Sequence, residues 1–439
     1  MGFRSPRGVA TRSRFTKKTS TELPTARVVA TLVAALSSGV LPLFLVGAFQ
    51  VRIAADIETG FAGIGAVLAL FFITTGVCSL PAGKLVDRVG ATVALRIGMT
   101  FTMLSSSFIA LFATSLPRLG VGLVLCGMGT TFVDTSGSRA LSRAVPRTQQ
   151  GMAFGAKEAS GPLAALLAGL ALPGLGELFA WRSLFLFATL FAFLTAITVP
   201  KGVDRQRGVI SGETVSTPVI TDVPTPALSD VQEAYATGPD AHTTRHLMLL
   251  WFAAATGGTI AASAANFLVP AVQLAGGSPQ FAGIVLALAS IVAVGTRIGS
   301  GILSDRTTDR ELQIVTVLFA SGAVAAMGLA LATGPFSTLS AGVVLSMPAA
   351  MILLGGGWGW TGLLFLSGVR IAPTKPALSG GVVLAGLGVG GAIGPALFGY
   401  VAENVGMTWS FLGSAPMLAI AAVTTFSLHK SRAALSTAS

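Results

Sequence analysis

Charge is what this sequence has least of. Only 10% of its 439 residues are Asp, Glu, Lys or Arg, against about 25% in an ordinary globular protein. That scarcity, with a mean hydropathy of +0.79, excludes a large water-soluble surface and points to a bilayer as the main solvent. Cysteine is almost absent. Cys78 and Cys126 both sit inside apolar runs, which implies neither a disulfide framework nor a metal site; they read as small apolar residues. The three histidines, His242, His246 and His429, fall near loops or run ends and form no ligand cluster. No GxxxxGK[ST] phosphate loop occurs, so energy for any work must come from a gradient.

What the chain has in abundance is long apolar runs. Val28 to Phe49, "VVATLVAALSSGVLPLFLVGAF", carries no charge and matches the ~20 residues that a helix needs to cross a hydrocarbon core. About twelve such segments follow one another: 28–50, 60–82, 93–115, 119–141, 150–172 and 183–200, then 246–270, 281–301, 312–333, 340–366, 377–400 and 407–428. The many glycines fit this reading, because small residues let spanning helices approach closely. The expected organisation is a basic arm 1–27, a six-helix bundle 28–200, a linker 201–245 rich in Pro, Thr, Asp and Gly, a second bundle 246–428 and a tail 429–439.

Basic residues set the orientation. Arg4, Arg7, Arg12, Arg14, Lys17, Lys18 and Arg27 share a side with Lys84, Arg88, Arg96, Arg139, Arg143, Arg147, the linker, Lys430 and Arg432. The opposite loops offer Arg52, Arg118 and Arg182. Both termini are therefore expected in the cytoplasm, and the net charge of +11 reads as a topology signal instead of a nucleic-acid footprint. The arm is read as a topology anchor and not as an organellar transit peptide. "MGFRSP" has Pro6 where a myristoylation site needs Ser or Thr.

The two sets of spans are copies. "FAGIGAVLALFF" from Phe61 is echoed by "FAGIVLALAS" from Phe281, "GKLVDR" (83–88) by "GILSDR" (301–306), and "WRSLFL" from Trp181 by "WSFL" from Trp409. Order and spacing are kept at an offset near half the chain. The expected fold is an all-α membrane protein of twelve transmembrane helices in two parallel, pseudo-symmetric six-helix bundles, with a site near the midplane between them.

With these residues the chain resembles the major facilitator superfamily. The family signature between helices 2 and 3 is Gly, three residues, Asp-Arg, one residue, Gly, then basic residues; Gly83, Asp87, Arg88 and Gly90 match it. Ala91 and Thr92 stand in the usual basic places and Arg96 is the next cation. The second copy keeps Gly301, Asp305 and Arg306, has Thr308 for the second Gly, and retains Arg310. The resemblance implies that this cluster is a gating latch. Gly83 would permit close helix approach, Asp87 would meet a positive helix N-terminus or a basic side chain, and Arg88 would pair with an acid such as Asp134.

Ionisable groups inside spans cost about 2.5–3.5 kcal/mol each on insertion scales and are functional candidates by default. Asp134 lies in span four, Lys157 and Glu158 in span five, and Arg297 in span eight. Lys157 follows Arg147 by ten residues, roughly 15 Å along a helix and so near the midplane. Asp134 and Glu158 are the proton-coupling candidates. Arg297, followed by Gly299 and the Asp-Arg pair, is similar to the monocarboxylate and oxalate/formate branches, where such an Arg binds the substrate carboxylate. Ala293 stands where monocarboxylate transporters carry an acid, and span eleven lacks the basic residue of the oxalate type. Lys157 and Arg297 are thus the cationic substrate candidates. Trp358 and Trp360, in "GGGWGWTG" (355–362) of span ten, are the aromatic ones; they point about 200° apart on a helix, so one of them faces the cavity.

The expected activity is secondary transport of a small organic anion with protons by alternating access, by a monomer in the cytoplasmic membrane, without cofactor or metal. The alternative is a drug/proton antiporter. Efflux members carry an Arg ahead of the Gly-x-Gly of span four, where Leu123 precedes Gly127 and Gly129, and a Gly-Pro pattern in span five, of which Gly151, Gly155, Gly161 and Pro162 remain. An enzyme or a non-transporting receptor is the reading from another class. Duplicated spanning halves argue against both.

Overall fold

A computed structural model describes residues 25–144, 150–199, 241–307, 310–334, 340–372 and 376–438. Among these residues every element is helical: α1 Thr25–Ala48, α2 Gln50–Asp56, α3 Phe61–Val89, α4 Ala91–Phe112, α5 Leu116–Ala144, α6 Gln150–Glu158, α7 Ser160–Ala171, α8 Leu175–Leu178 and α9 Trp181–Thr198 in the first half. The second half holds α10 Ala241–Leu274, α11 Pro279–Arg306, α12 Glu311–Thr333, α13 Ser340–Gly359, α14 Thr361–Ile371, α15 Pro376–Asn404 and α16 Met407–Ala438. Eleven stretches, one of them α13 and α14 taken together, are long and apolar enough to cross a membrane. The remaining crossing is span five, divided into α6 and α7 at Ala159, where Gly161-Pro162 interrupts the helical ladder. The arm before Thr25 and most of the linker (200–240) lie outside the described residues, and the second half begins at Ala241.

The repeated motifs occupy equivalent places. Phe61 opens α3; Phe281 lies in the first turn of α11, where its N–H donates to the capping hydroxyl of Ser278. The "GKLVDR" and "GILSDR" copies end those two helices. Trp181 opens α9 and Trp409 lies in the first turn of α16. Side chains such as Leu111 on α4, Ile197 on α9, Val324 on α12 and Val423 on α16 are more than 60% exposed. Apolar groups on an outer surface at that depth belong against lipid.

The halves touch closely at one end. On the side away from the termini, a Cβ on Gly65 would sit 2.2 Å from the carbonyl oxygen of Pro395, and one on Gly169 would sit 2.8 Å from that of Gly283. Only glycine allows backbones to meet this closely. Along the same helices toward the terminal side, Gly76, Gly83, Gly299, Gly381 and Gly388 have nothing within 4 Å of such a Cβ. The close helix approach expected at Gly83 is therefore not made in this conformation, which is closed on the non-terminal side. Gly386, Gly390 and Gly394, one stripe of α15, pack instead against the α10 backbone of their own half.

Candidate functional site

The intramembrane charges gather where α5, α6, α11 and α13 meet. Lys157, on the last turn of α6, is buried; its Nζ lies 2.6 Å from Asp134 Oδ1 of α5 and 3.3 Å from Glu158 Oε1. It also donates to the hydroxyl of Ser138, one turn along α5 from Asp134, at 2.9 Å. Burying an ammonium is tolerable only with such compensation. Adjacent helical positions diverge by about 100°, and the long lysine side chain bends back to reach its neighbour. Asp134 thus serves Lys157, a different partner from the Arg88 expected of it.

Arg297, on α11, is 5% exposed and reaches across to the other half. Its Nη1–H donates to the backbone carbonyl of Glu158 in the other half, and its Nη2–H donates to the carbonyl of Trp358 at 2.8 Å. The guanidinium stacks over the Trp358 ring, 4.7 Å from its centroid. Nε has no partner. Among the described residues no carboxylate comes within ion-pair distance of Arg297; its hydrogen bonds go to neutral carbonyls and its face to a π system, with the Glu158 carboxylate acting on it at longer range. Trp358 in turn meets Phe44 of α1 with ring centroids 5.6 Å apart.

Lys157, Glu158, Asp134, Arg297 and Trp358 thus form one constellation. Trp360 is apart from it: fully buried within the second half, it donates its indole N–H to the Gly357 carbonyl at 2.8 Å and packs on Phe319. In the Gly83–Gly90 motif, Gly90 has φ +84°, a positive-φ turn that glycine adopts without strain. The Asp87 and Asp305 side chains lie outside the described residues, while Arg88 and Arg306 are exposed. Arg139 of α5 donates to the Val86 carbonyl at 3.0 Å, tying α5 to the end of α3.

Three features were not anticipated from the sequence. Phe44 is one of 26 phenylalanines and carries no mark of its place. Glu311, fully buried at the start of α12, joins Arg370 of α14 at 2.6 Å and Arg432 of α16 at 3.0 Å. On the opposite side, Glu403 at the end of α15 accepts from the Ala62 N–H at 2.7 Å, a carboxylate on the positive end of α3 across the two halves.

This arrangement of duplicated helices agrees with what comparison with known families finds: the model of the Major Facilitator Superfamily matches residues 25–377. The chain belongs to the major facilitator superfamily. It is a multi-pass membrane transporter of that family. No curated protein matches the sequence.

Proposed function

We propose that this transporter moves a small organic anion together with protons by alternating access, in the cytoplasmic membrane, as a monomer with both termini in the cytoplasm. On that orientation the conformation described above is closed toward the outside. The observation that carries the reading is the contrast between the two buried cations. Lys157 is matched by Asp134 and Glu158, whereas Arg297 holds two backbone carbonyls, a π face and an unpartnered Nε. A carboxylate offers that guanidinium better acceptors than a neutral carbonyl does.

Charge balance supports proton coupling. With both acids ionised, Asp134, Glu158, Lys157 and Arg297 sum to zero, so an incoming anion would leave the site negative at low dielectric. One proton on either acid restores neutrality. Asp134 and Glu158 keep side-chain exposures of 36% and 24%, enough for water to deliver that proton. Trp358 and Phe44 supply an apolar wall, which suits an anion with a hydrocarbon or aromatic body. The latch reading stands beside this: Asp87, Arg88 and their copies Asp305 and Arg306 would close the cytoplasmic side in the opposite conformation.

The experiment is a substrate screen in proteoliposomes with an internal pH reporter. Carboxylates are expected to acidify the lumen with wild type and not with Arg297→Ala. Responses to cationic dyes alone, unchanged in that variant, would replace this reading with drug/proton antiport.

A further inference from the structure

Pro162 explains why Arg297 docks where it does. In an α-helix the carbonyl of residue 158 accepts from the N–H of residue 162, and proline has none. Glu158 is therefore left with a carbonyl that its own helix cannot satisfy, at the break between α6 and α7. The next bond of the ladder is intact, with Leu163 N–H donating to the Ala159 carbonyl at 3.0 Å. Gly161 leaves the approach open: a Cβ there would meet the Trp358 ring at 3.1 Å and Arg297 Nη1 at 3.9 Å. The side chain that fills the vacancy comes from the other half of the molecule.

We propose that Pro162, Glu158 and Arg297 form a clasp that holds the two halves in the present conformation when the site is empty, and that an arriving anion opens it by taking the guanidinium. Pro162 is a positioning residue: it touches neither substrate nor proton, and acts by emptying one carbonyl. Rocking that opens the non-terminal side parts α7 from α11, which meet there at Gly169 and Gly283, and must shift the Glu158 carbonyl relative to Arg297, because the two belong to opposite halves. The other contact of the guanidinium, to the Trp358 carbonyl, lies within its own half and survives the movement. The clasp itself stands on geometry alone; its release by an anion rests on the function proposed above.

The test measures conformation without substrate. Spin labels at Phe112→Cys and Val405→Cys, exposed positions at the non-terminal ends of α4 and α15, report the separation of the halves in protein with Cys78→Ala and Cys126→Ala. Wild type is expected to give one dominant short distance. Pro162→Ala restores an N–H for Glu158 and is expected to add a longer-distance population, as is Arg297→Gln. Pro162→Gly restores the same N–H with a different bending stiffness, so it must behave like Pro162→Ala; a shift in only one of the two would assign the effect to helix bending and overturn the clasp. Distributions identical to wild type in both proline variants would overturn it as well. Any carboxylate that acidifies the lumen in the uptake screen must shift wild type toward the longer distance. If none does, anion release is refuted while the substrate-free result still decides the clasp.

Discussion

Replacing Lys157 by methionine keeps most of the side-chain volume and removes the charge that Asp134 and Glu158 share. Breaking a buried ion pair by deleting one partner costs ~3–5 kcal/mol, because the other charge is left uncompensated. Here both carboxylates still see solvent, at 36% and 24% exposure, so they can hydrate or protonate and the cost falls at the low end, about 3 kcal/mol. For a unit of ~150–250 residues, the size range of one half, 1 kcal/mol shifts the melting temperature by about 2–4 °C, giving an expected fall of about 6–12 °C. Intrinsic tryptophan fluorescence of the detergent-solubilised protein during a thermal ramp measures it. Adding Asp134→Asn to Lys157→Met removes one orphaned charge and should recover part of the loss. A melting temperature within about 2 °C of wild type for the single variant would refute the claim that this buried lysine is held by the two carboxylates.

Further outcomes follow from other contacts. Gly65→Leu places a side chain against the Pro395 carbonyl, so the 112–405 spin-label distance should lengthen; an unchanged distance would show that α3 and α15 do not seal the non-terminal side. Glu311→Gln weakens two charge-assisted bonds worth ~1.5–3 kcal/mol each, and with one acceptor retained should cost about 2 kcal/mol; thermal unfolding reads it, and no loss would mean that Arg370 and Arg432 find other acceptors. The two tryptophans should separate cleanly. Trp358→Leu is expected to raise the KM for anion uptake with little change in melting, whereas Trp360→Ala should lower stability by ~3–5 kcal/mol and leave KM alone.

Much of this architecture was legible in advance because it follows from one-dimensional quantities. Apolar run length marks a crossing, and the paired "FAGI" and "Asp-Arg" segments mark the repeat, since each copy begins or ends the same helix. Span five reads as a single run, 150–172, and its division at Ala159 emerges only in the fold. The partners of individual charges were not legible, because they depend on which faces of separate helices meet. Asp134 could reach Arg88 or Lys157 by sequence position alone; the packing of α5 on α6 decides for Lys157. Arg297 was marked by its depth in span eight, but its docking on a backbone carbonyl involves no side chain that a motif could reveal. Glu311 stands one residue before the expected span 312–333 and nothing in the sequence marks it, yet it is completely buried and joined to α14 and α16. Trp358 and Trp360 were separable only as a pair, one toward the site and one away, until Phe44 and Phe319 assigned them.

The central claim is that one proton offsets the negative charge that an organic anion brings to Arg297. Its most direct test measures carboxylate and proton fluxes together in proteoliposomes held at set membrane potentials. Equal fluxes that do not respond to potential, and that are both abolished by Arg297→Ala, are the predicted result. Anion entry without acidification, or entry driven by an inside-positive potential alone, would contradict it.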